Sequence, residues 1–171
     1  MGGQKLQGPN TLKETVVEKK LNLTISQLEE NRCKACAVFN LVSAALQRKG
    51  IYAFRDDTKL NKGESIAPEL LRVIQHSQIF IVVFSKNYAS STWCLRELEH
   101  ILLHCGQPPE KRLLPVFYDV DPSDVRHQKG TYDEALAKHE QRFQQDSDKV
   151  RRWREVLAQV ADLSGWDVRH K

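Results

Sequence analysis

The fold class the sequence predicts is a doubly wound α/β domain built on a parallel sheet. Three observations predict it. Strand-like apolar runs alternate with amphipathic helical patterns along most of the chain. The run Ile79 to Phe84, IFIVVF, is continuously apolar and mostly β-branched, as a strand covered on both faces must be. The 171 residues suffice for one sizeable core and are too few for two ordinary domains.

Residues 1–20 are polar, carry a Gly8-Pro9-Asn10 breaker, and read as a tail ahead of a domain spanning residues 21–171. The first clear helix covers Ala35 to Lys49, with Val38, Leu41, Val42, Ala45 and Leu46 at helical spacing on its inward face. Lys49 in the last turn and Gly50 beyond it form a stop signal. Ile51 to Phe54 is a short strand and Asp56 to Glu64 a charged loop. Ser65 stands where an N-cap belongs, Pro68 falls in the first turn, and Ile66, Leu70, Val73 and Ile74 make the next helical face. After IFIVVF and a polar loop, Ser85 to Thr92, comes a helix from Trp93 to Cys105. Leu113 to Val120 is another buried strand, in which Pro115 argues for an edge or a bulge. The Asp121-Pro122-Ser123 turn leads to a helix over Tyr132 to Phe143. The last helix spans Lys149 to Ser164 and ends at Gly165, with Val150, Trp153, Val156, Leu157, Val160 and Ala161 inward. Within the parallel class, five-stranded flavodoxin-like winding suits this length best.

Composition narrows the function. The chain is 40% hydrophobic and 28% charged, as globular proteins are. No stretch approaches the ~18–20 apolar residues of a membrane span, and the N-terminus has no secretory core segment. Gly2 invites myristoylation, but Leu6 occupies the position where that signal requires Ser or Thr. The cytosol is the expected address, with the nucleus also open, and no membrane partner is expected. The net charge of +4 is mild. Its densest basic cluster, Arg151, Arg152 and Arg154, is followed at once by Glu155, so no nucleic-acid partner is expected. The four cysteines read as free thiols. Cys33 and Cys36 form a C-x-x-C, but a zinc site needs a second ligand pair. His100, His104 and Cys105 read instead as a solvated histidine face and a core-facing cysteine. No metal is expected.

In open parallel sheets, ligands bind beyond the carboxyl ends of the strands where the strand order reverses. In flavodoxin-like winding that point lies between the first and third strands. With IFIVVF third, the site falls on the segment that begins at Ser85, SKNYASSTWCLRELEHILLHC. At 100° per residue, Leu95, Leu98, Ile101, Leu102 and Cys105 share an arc of about 120°, the core face. Trp93, Glu97, His100 and His104 cluster within about 60° beside it. An aromatic ring and a carboxylate thus stack one turn apart at the helix start. Two readings stand at this point: Trp93 as a core anchor with Glu97 a surface acid offsetting the helix dipole, or the pair as a ligand site.

Four segments follow one another in order: IYAFRDDTKLNKGESIAPELLRVI, FIVVFSKNYASSTWCLRELEHIL, LLPVFYDVDPSDVRHQKGTYDEALAKHE and KVRRWREVLAQVADLSGW. Together they resemble the TIR domains of plant disease-resistance receptors, from about Val38 to Trp166. The resemblance implies a flavodoxin-like fold, self-association with itself and other TIR domains, and cleavage of NAD+ that releases nicotinamide and starts defence signalling. NAD+ would be substrate, with no cofactor required. The glutamate of the family's W-C-L-x-E-L segment, its catalytic acid, corresponds to Glu97, and Trp93 lines the same pocket. Ser85, Arg55 and Lys62 are carried over as substrate contacts. Asp56 to Ser65 matches a mobile loop that closes over the site and joins protomers.

The sequence departs from the family at its start. The usual opening strand and its arginine loop are missing, and only Leu23 to Glu29 and Glu30 to Ala35 stand in their places, with Arg32 out of register. Leu21, Leu23 and Ile25 alternate with Asn22 and Thr24, so the stretch Leu21 to Leu28 either fills the slot weakly or leaves the sheet incomplete. Two functions follow: an NAD+ nucleosidase that works when self-associated, or a non-catalytic adaptor or decoy acting through TIR–TIR contacts. A phospho-acceptor receiver using Asp119 or Asp121 is a third, set aside because those acids end the wrong strand.

Overall fold

The computed structural model describes residues 20–25, 34–54, 68–77, 79–105 and 112–169. One parallel sheet of five strands runs through it: β1 (Lys20–Ile25), β2 (Tyr52–Phe54), β3 (Ile79–Phe84), β4 (Arg112–Tyr118) and β5 (Trp166–Val168), in the order β2-β1-β3-β4-β5. The helices are α1 (Lys34–Arg48), α2 (Pro68–His76), α3 (Thr92–Cys105), α4 (Pro122–Arg126), α5 (Thr131–Arg142) and α6 (Ser147–Ala161). The doubly wound order expected from the sequence is therefore present. Among the described residues, no helix is long and apolar enough to cross a membrane.

The slot left open by the sequence is filled. Lys20 to Asn22 pair with Tyr52 to Phe54, and Leu21 to Ile25 pair with Ile79 to Val83. Of the two alternatives for this segment, the incomplete sheet is the one the structure removes. Gln27 and Leu28 lie outside the described residues, as do Arg32, Cys33 and Ser65.

The main core lies on one face of the sheet. Phe80, Val82 and Phe84 of β3 and Phe117 of β4 meet Leu95, Leu98 and Ile101 of α3 and the inward row of α6. All six residues expected inward on α6 are buried. Burying such a large apolar side chain is worth about 1.5–3 kcal/mol, so this layer fixes how α3 sits on the sheet.

The opposite face carries a smaller cluster, Val83 and Tyr118 with half-buried Ile81 and Val116. Trp166 pairs with Val116 and Val168 with Tyr118, so both add to this face, where they stay 56% and 42% exposed. Crossovers between parallel strands are right-handed, and only the step from β1 to β2 runs backwards along the sheet. That places α1 on the second face, against β1 and β2, and the other crossover helices on the first. The inward face expected for α1 needs correction accordingly. Leu41 is 71% exposed and Ala45 is exposed, while Val42 and Leu46 are half-buried. Their spacing is helical, but only part of the stripe is buried.

Three further details differ from the sequence reading. Pro115 lies inside β4, which has neighbours on both sides. A Cβ on Gly165 would stand 2.4 Å from the Pro115 carbonyl oxygen, so that backbone edge faces the chain entering β5. Carbonyl and nitrogen of one strand residue point the same way, so the missing N–H falls where the β4–β5 ladder has not yet begun. Gly165 does not end a helix: α6 stops at Ala161, and the glycine is needed because nothing larger fits beside Pro115. Finally, β4 ends at Tyr118, Asp119 turns into the left-handed region (φ 52), and Asp121 caps the short α4 by accepting from the Ser123 N–H at 2.8 Å.

Candidate functional site

The chain reverses its winding between β1 and β3, and the segment leaving β3 enters the space beyond their carboxyl ends. Ser85 is the first residue past β3 and is half-buried. A 3-10 turn, Tyr88–Ser90, follows, and Ser91 starts α3. The Ser91 hydroxyl accepts from the Cys94 N–H at 3.2 Å, while its carbonyl accepts from the Leu95 N–H at 3.1 Å. That cap fixes the first turn, and hence the direction of Trp93 and Glu97.

Trp93 is half-buried and packs against the main core. Glu97, one turn on, is only 3% exposed. The surface-acid reading of Glu97 is thereby excluded. The other acid of this helix behaves differently: Glu99 pairs with Arg152 of α6 at 3.0 Å and ties α3 to α6. Leu95, Leu98 and Ile101 form the core face as expected, with Leu102 packed against it. The predicted histidine face is less solvated than expected. His100 and His104 are half-buried, and their Nδ1 atoms lie 3.0 and 2.8 Å from the carbonyls of Arg96 and His100. Among the described residues, no group of His, Cys, Asp and Glu is arranged to hold a metal ion.

Beneath the acid lies a polar cluster that sequence reasoning missed. Tyr88 is fully buried, with its ring edge-on to Phe84 at 4.8 Å, and its hydroxyl donates to the Cys94 carbonyl at 3.2 Å. Burial pushes the Tyr88 phenol well above its ordinary range; Cys94, Glu97 and Tyr132 add to the shift in that order. Tyr132 is raised as well, by burial and then by Cys94. Both phenols therefore stay protonated and act as donors. A tyrosine in a polar loop gives no periodic signal of burial, which is why the sequence does not single out Tyr88.

Around the carboxyl edge, several of the described charges pair with one another. Lys86 lies 3.3 Å from Asp119, and Arg169 joins Asp121 to Asp167. The cap from Ser123 holds Asp121 below the usual carboxylate range, and Arg169 does the same for Asp167. Asp119 and Asp121 thus serve the loops after β4. Arg55 and Lys62, with the charged loop from Asp56 to Ser65, lie outside the described residues. Of the expected site residues, Ser85 directly follows β3, and Trp93 and Glu97 lie one turn apart on α3.

The sequence matches the family described as TIR domain over residues 27–171. The chain belongs to the TIR domain family. Disease resistance protein RPV1 of Vitis rotundifolia is 49% identical to this TIR domain over 125 residues, 73% of the chain and 9% of the relative. TMV resistance protein N of Nicotiana glutinosa is 45% identical over 120 residues, 70% of the chain and 10% of the relative. The chain thus spans about a tenth of the length of these curated relatives. Among solved structures, it resembles the TIR domains in a structure described as the activated Roq1 resistosome directly recognizing the pathogen effector XopQ. That similarity has a TM-score of 0.74 and 46% identity, covering 86% of each chain. The expected TIR fold and the plant disease-resistance family are therefore established. The family match begins two residues after β1 ends, so the central strand comes from sequence outside it.

Proposed function

We propose that this TIR domain cleaves NAD+ at the nicotinamide–ribose bond when self-associated, with Glu97 as the catalytic carboxylate and Trp93 and Ser85 as substrate contacts. The observation that carries the reading is a carboxylate only 3% exposed, one helical turn from a half-buried indole, at the point where the sheet's winding reverses. Arg55 and Lys62 are proposed as further contacts, and NAD+ is substrate rather than cofactor.

The chemistry suits one acid. The bond from ribose C1′ to the pyridinium nitrogen breaks, and its electron pair goes to that nitrogen, so nicotinamide leaves neutral. No general acid is required for the departure. Positive charge builds on the ribose, as in an oxocarbenium-like transition state. A carboxylate accepting hydrogen bonds from the ribose hydroxyls stabilises that charge as it forms. Water then adds at C1′ and loses a proton. Trp93 offers a π surface for a nucleotide ring, a contact worth ~1–3 kcal/mol in comparable base–aromatic stacks.

Self-association is supported by the likeness to TIR domains of a resistosome. In this reading, activity rises steeply with protein concentration. The test is nicotinamide release from NAD+ by concentrated protein, beside a Glu97→Ala control. Release abolished by the substitution supports the proposal. Release that survives it removes Glu97 from catalysis, and no release at any concentration leaves the non-catalytic adaptor.

A further inference from the structure

Helix α5 stands apart from the reacting groups in sequence, yet three of its side chains reach the loop that carries them. The Tyr132 hydroxyl donates to the Ser85 carbonyl at 2.8 Å. The Thr131 hydroxyl donates to the Lys86 carbonyl, also at 2.8 Å. His139 Nε2 lies 2.9 Å from the Ala89 carbonyl, a geometry that requires the proton on Nε2. Residues 131, 132 and 139 lie on one side of the helix, two turns end to end.

These bonds span the loop from its first residue to the turn before α3. The remaining backbone bonds in the loop are local, Tyr88 N–H to Ser85 carbonyl at 3.1 Å and Ser91 N–H to Tyr88 carbonyl at 3.3 Å, and its other ties are the buried Tyr88 side chain and the Lys86–Asp119 pair. Such short-range bonds shape a turn without fixing where it sits relative to the sheet. Its anchoring comes from buried groups: Tyr132 is fully buried, and His139 is 6% exposed with its ring edge-on to Trp153 at 5.6 Å. Left unpaired, the buried Ala89 carbonyl would be costly, while the half-buried Ser85 carbonyl and the exposed Lys86 carbonyl are held by the two hydroxyls. The seam they bridge is open on its outer side, as a cleft bounded by Lys86, Ser90, Thr131 and Lys138.

We propose that Thr131, Tyr132 and His139 are positioning residues, a three-point clamp by which α5 sets the β3–α3 loop and with it the substrate contact Ser85. This role rests on the catalytic reading above for its effect on turnover, whereas its effect on loop order does not. A loop freed from the clamp would still fold into its turn but would sample positions beyond the tolerance of the reaction, where a misplacement of about 1 Å costs roughly 100-fold.

The test compares the unmodified chain with Thr131→Val/Tyr132→Phe, which removes two hydroxyls and keeps both shapes, and with His139→Leu. Rescue variants are Thr131→Ser and His139→Gln, whose amide nitrogen takes the place of Nε2. Turnover and amide exchange are both read well below the melting temperature. The clamp predicts at least tenfold faster exchange at Tyr88, Ser90 and Ser91, with Leu157 and Val160 of α6 unchanged. It also predicts a fall of about 10- to 100-fold in kcat per folded molecule, with recovery in the rescue variants. A merely structural role would lower the melting temperature and leave kcat alone, which overturns the proposal. So does unchanged exchange at the three loop amides. If the unmodified chain releases no nicotinamide, the catalytic reading fails by itself, and the exchange rates still decide the clamp.

Discussion

Glu97→Gln isolates the charge of the proposed catalytic acid from its shape. The side chain is almost fully enclosed, so its field is little screened by water. At an effective dielectric of about 20, a unit charge about 4–5 Å away is stabilised by roughly 3–4 kcal/mol. That agrees with the ~10²–10³-fold losses seen when a single stabilising group is removed from a preorganised site. Nicotinamide release by Glu97→Gln is therefore expected to fall about 10²–10³-fold, at protein concentrations that support assembly.

Two controls accompany that variant. Glu99→Gln removes an acid from the same helix whose side chain is 19% exposed and paired with Arg152. It is expected to cost no more than about 1 kcal/mol of stability and to leave the rate within about twofold. The second control is local: Glu97 raises the Tyr88 phenol, so its titration in Glu97→Gln should fall while burial keeps it elevated. If the Glu97→Gln rate stays within about threefold of the parent while the Tyr88 titration moves, the acid is charged but not catalytic. Glu97 would then not be the catalytic carboxylate.

Gly165→Ala forces a Cβ to within 2.4 Å of a backbone oxygen and 2.7 Å of the Pro115 ring, which no rotamer relieves. A loss of about 2–3 kcal/mol, or about 4–12 °C in melting temperature, is expected by thermal unfolding, and a change under about 2 °C would contradict the packing. Burial lowers the His139 pKa below its ordinary 6.5, so the unfolded chain takes up that proton first. Its contribution to stability is full above about pH 6.5 and is lost as pH falls through the folded value; denaturant midpoints should show this slope and lose it in His139→Gln. Amide exchange tests the central strand. The Leu21 to Ile25 amides that bond to the neighbouring strands should be protected to within about tenfold of their counterparts in Ile81 to Val83, and rates a thousandfold faster would take β1 out of the cooperative unit.

Legibility in the sequence followed the strength of the burial pattern. IFIVVF occupies β3 end to end because a continuous branched run has no other stable use. The inward row of α6 was equally plain, since a full stripe meets a full layer of sheet. The α1 stripe misled because periodicity reports that a face is apolar and not how much of it is buried. The three-residue β5 is too short for alternation to register, and its side chains are exposed. At the site, spacing alone put Trp93 beside Glu97, but it left two readings standing, a surface acid offsetting the helix dipole and a ligand site. Burial of Glu97, close enough to Tyr88 to act on its phenol, belongs to the folded surroundings and leaves no mark in spacing. Thr131, Tyr132 and His139 were illegible for the same reason: their partners are backbone carbonyls more than forty residues away, at separations of 45, 47 and 50.

The orientation of Glu97 is set by the core. Leu95, Leu98 and Ile101 are each at most 1% exposed and lie within four residues of it on the same helix. Turning α3 by a single residue, about 100°, would bring all three toward water. At about 1.5–3 kcal/mol apiece, that loss approaches the whole stability of a domain, roughly 5–15 kcal/mol. The helix therefore cannot rotate the acid out of place without unfolding. The opening strand is held in the sheet through five residues of register with β3. Backbone bonds hold β1 in register, whereas apolar side chains place α3. A domain can thus accept an unusual sequence in β1 and still present Trp93 and Glu97 in the same direction, because the two requirements are met by different parts of the chain.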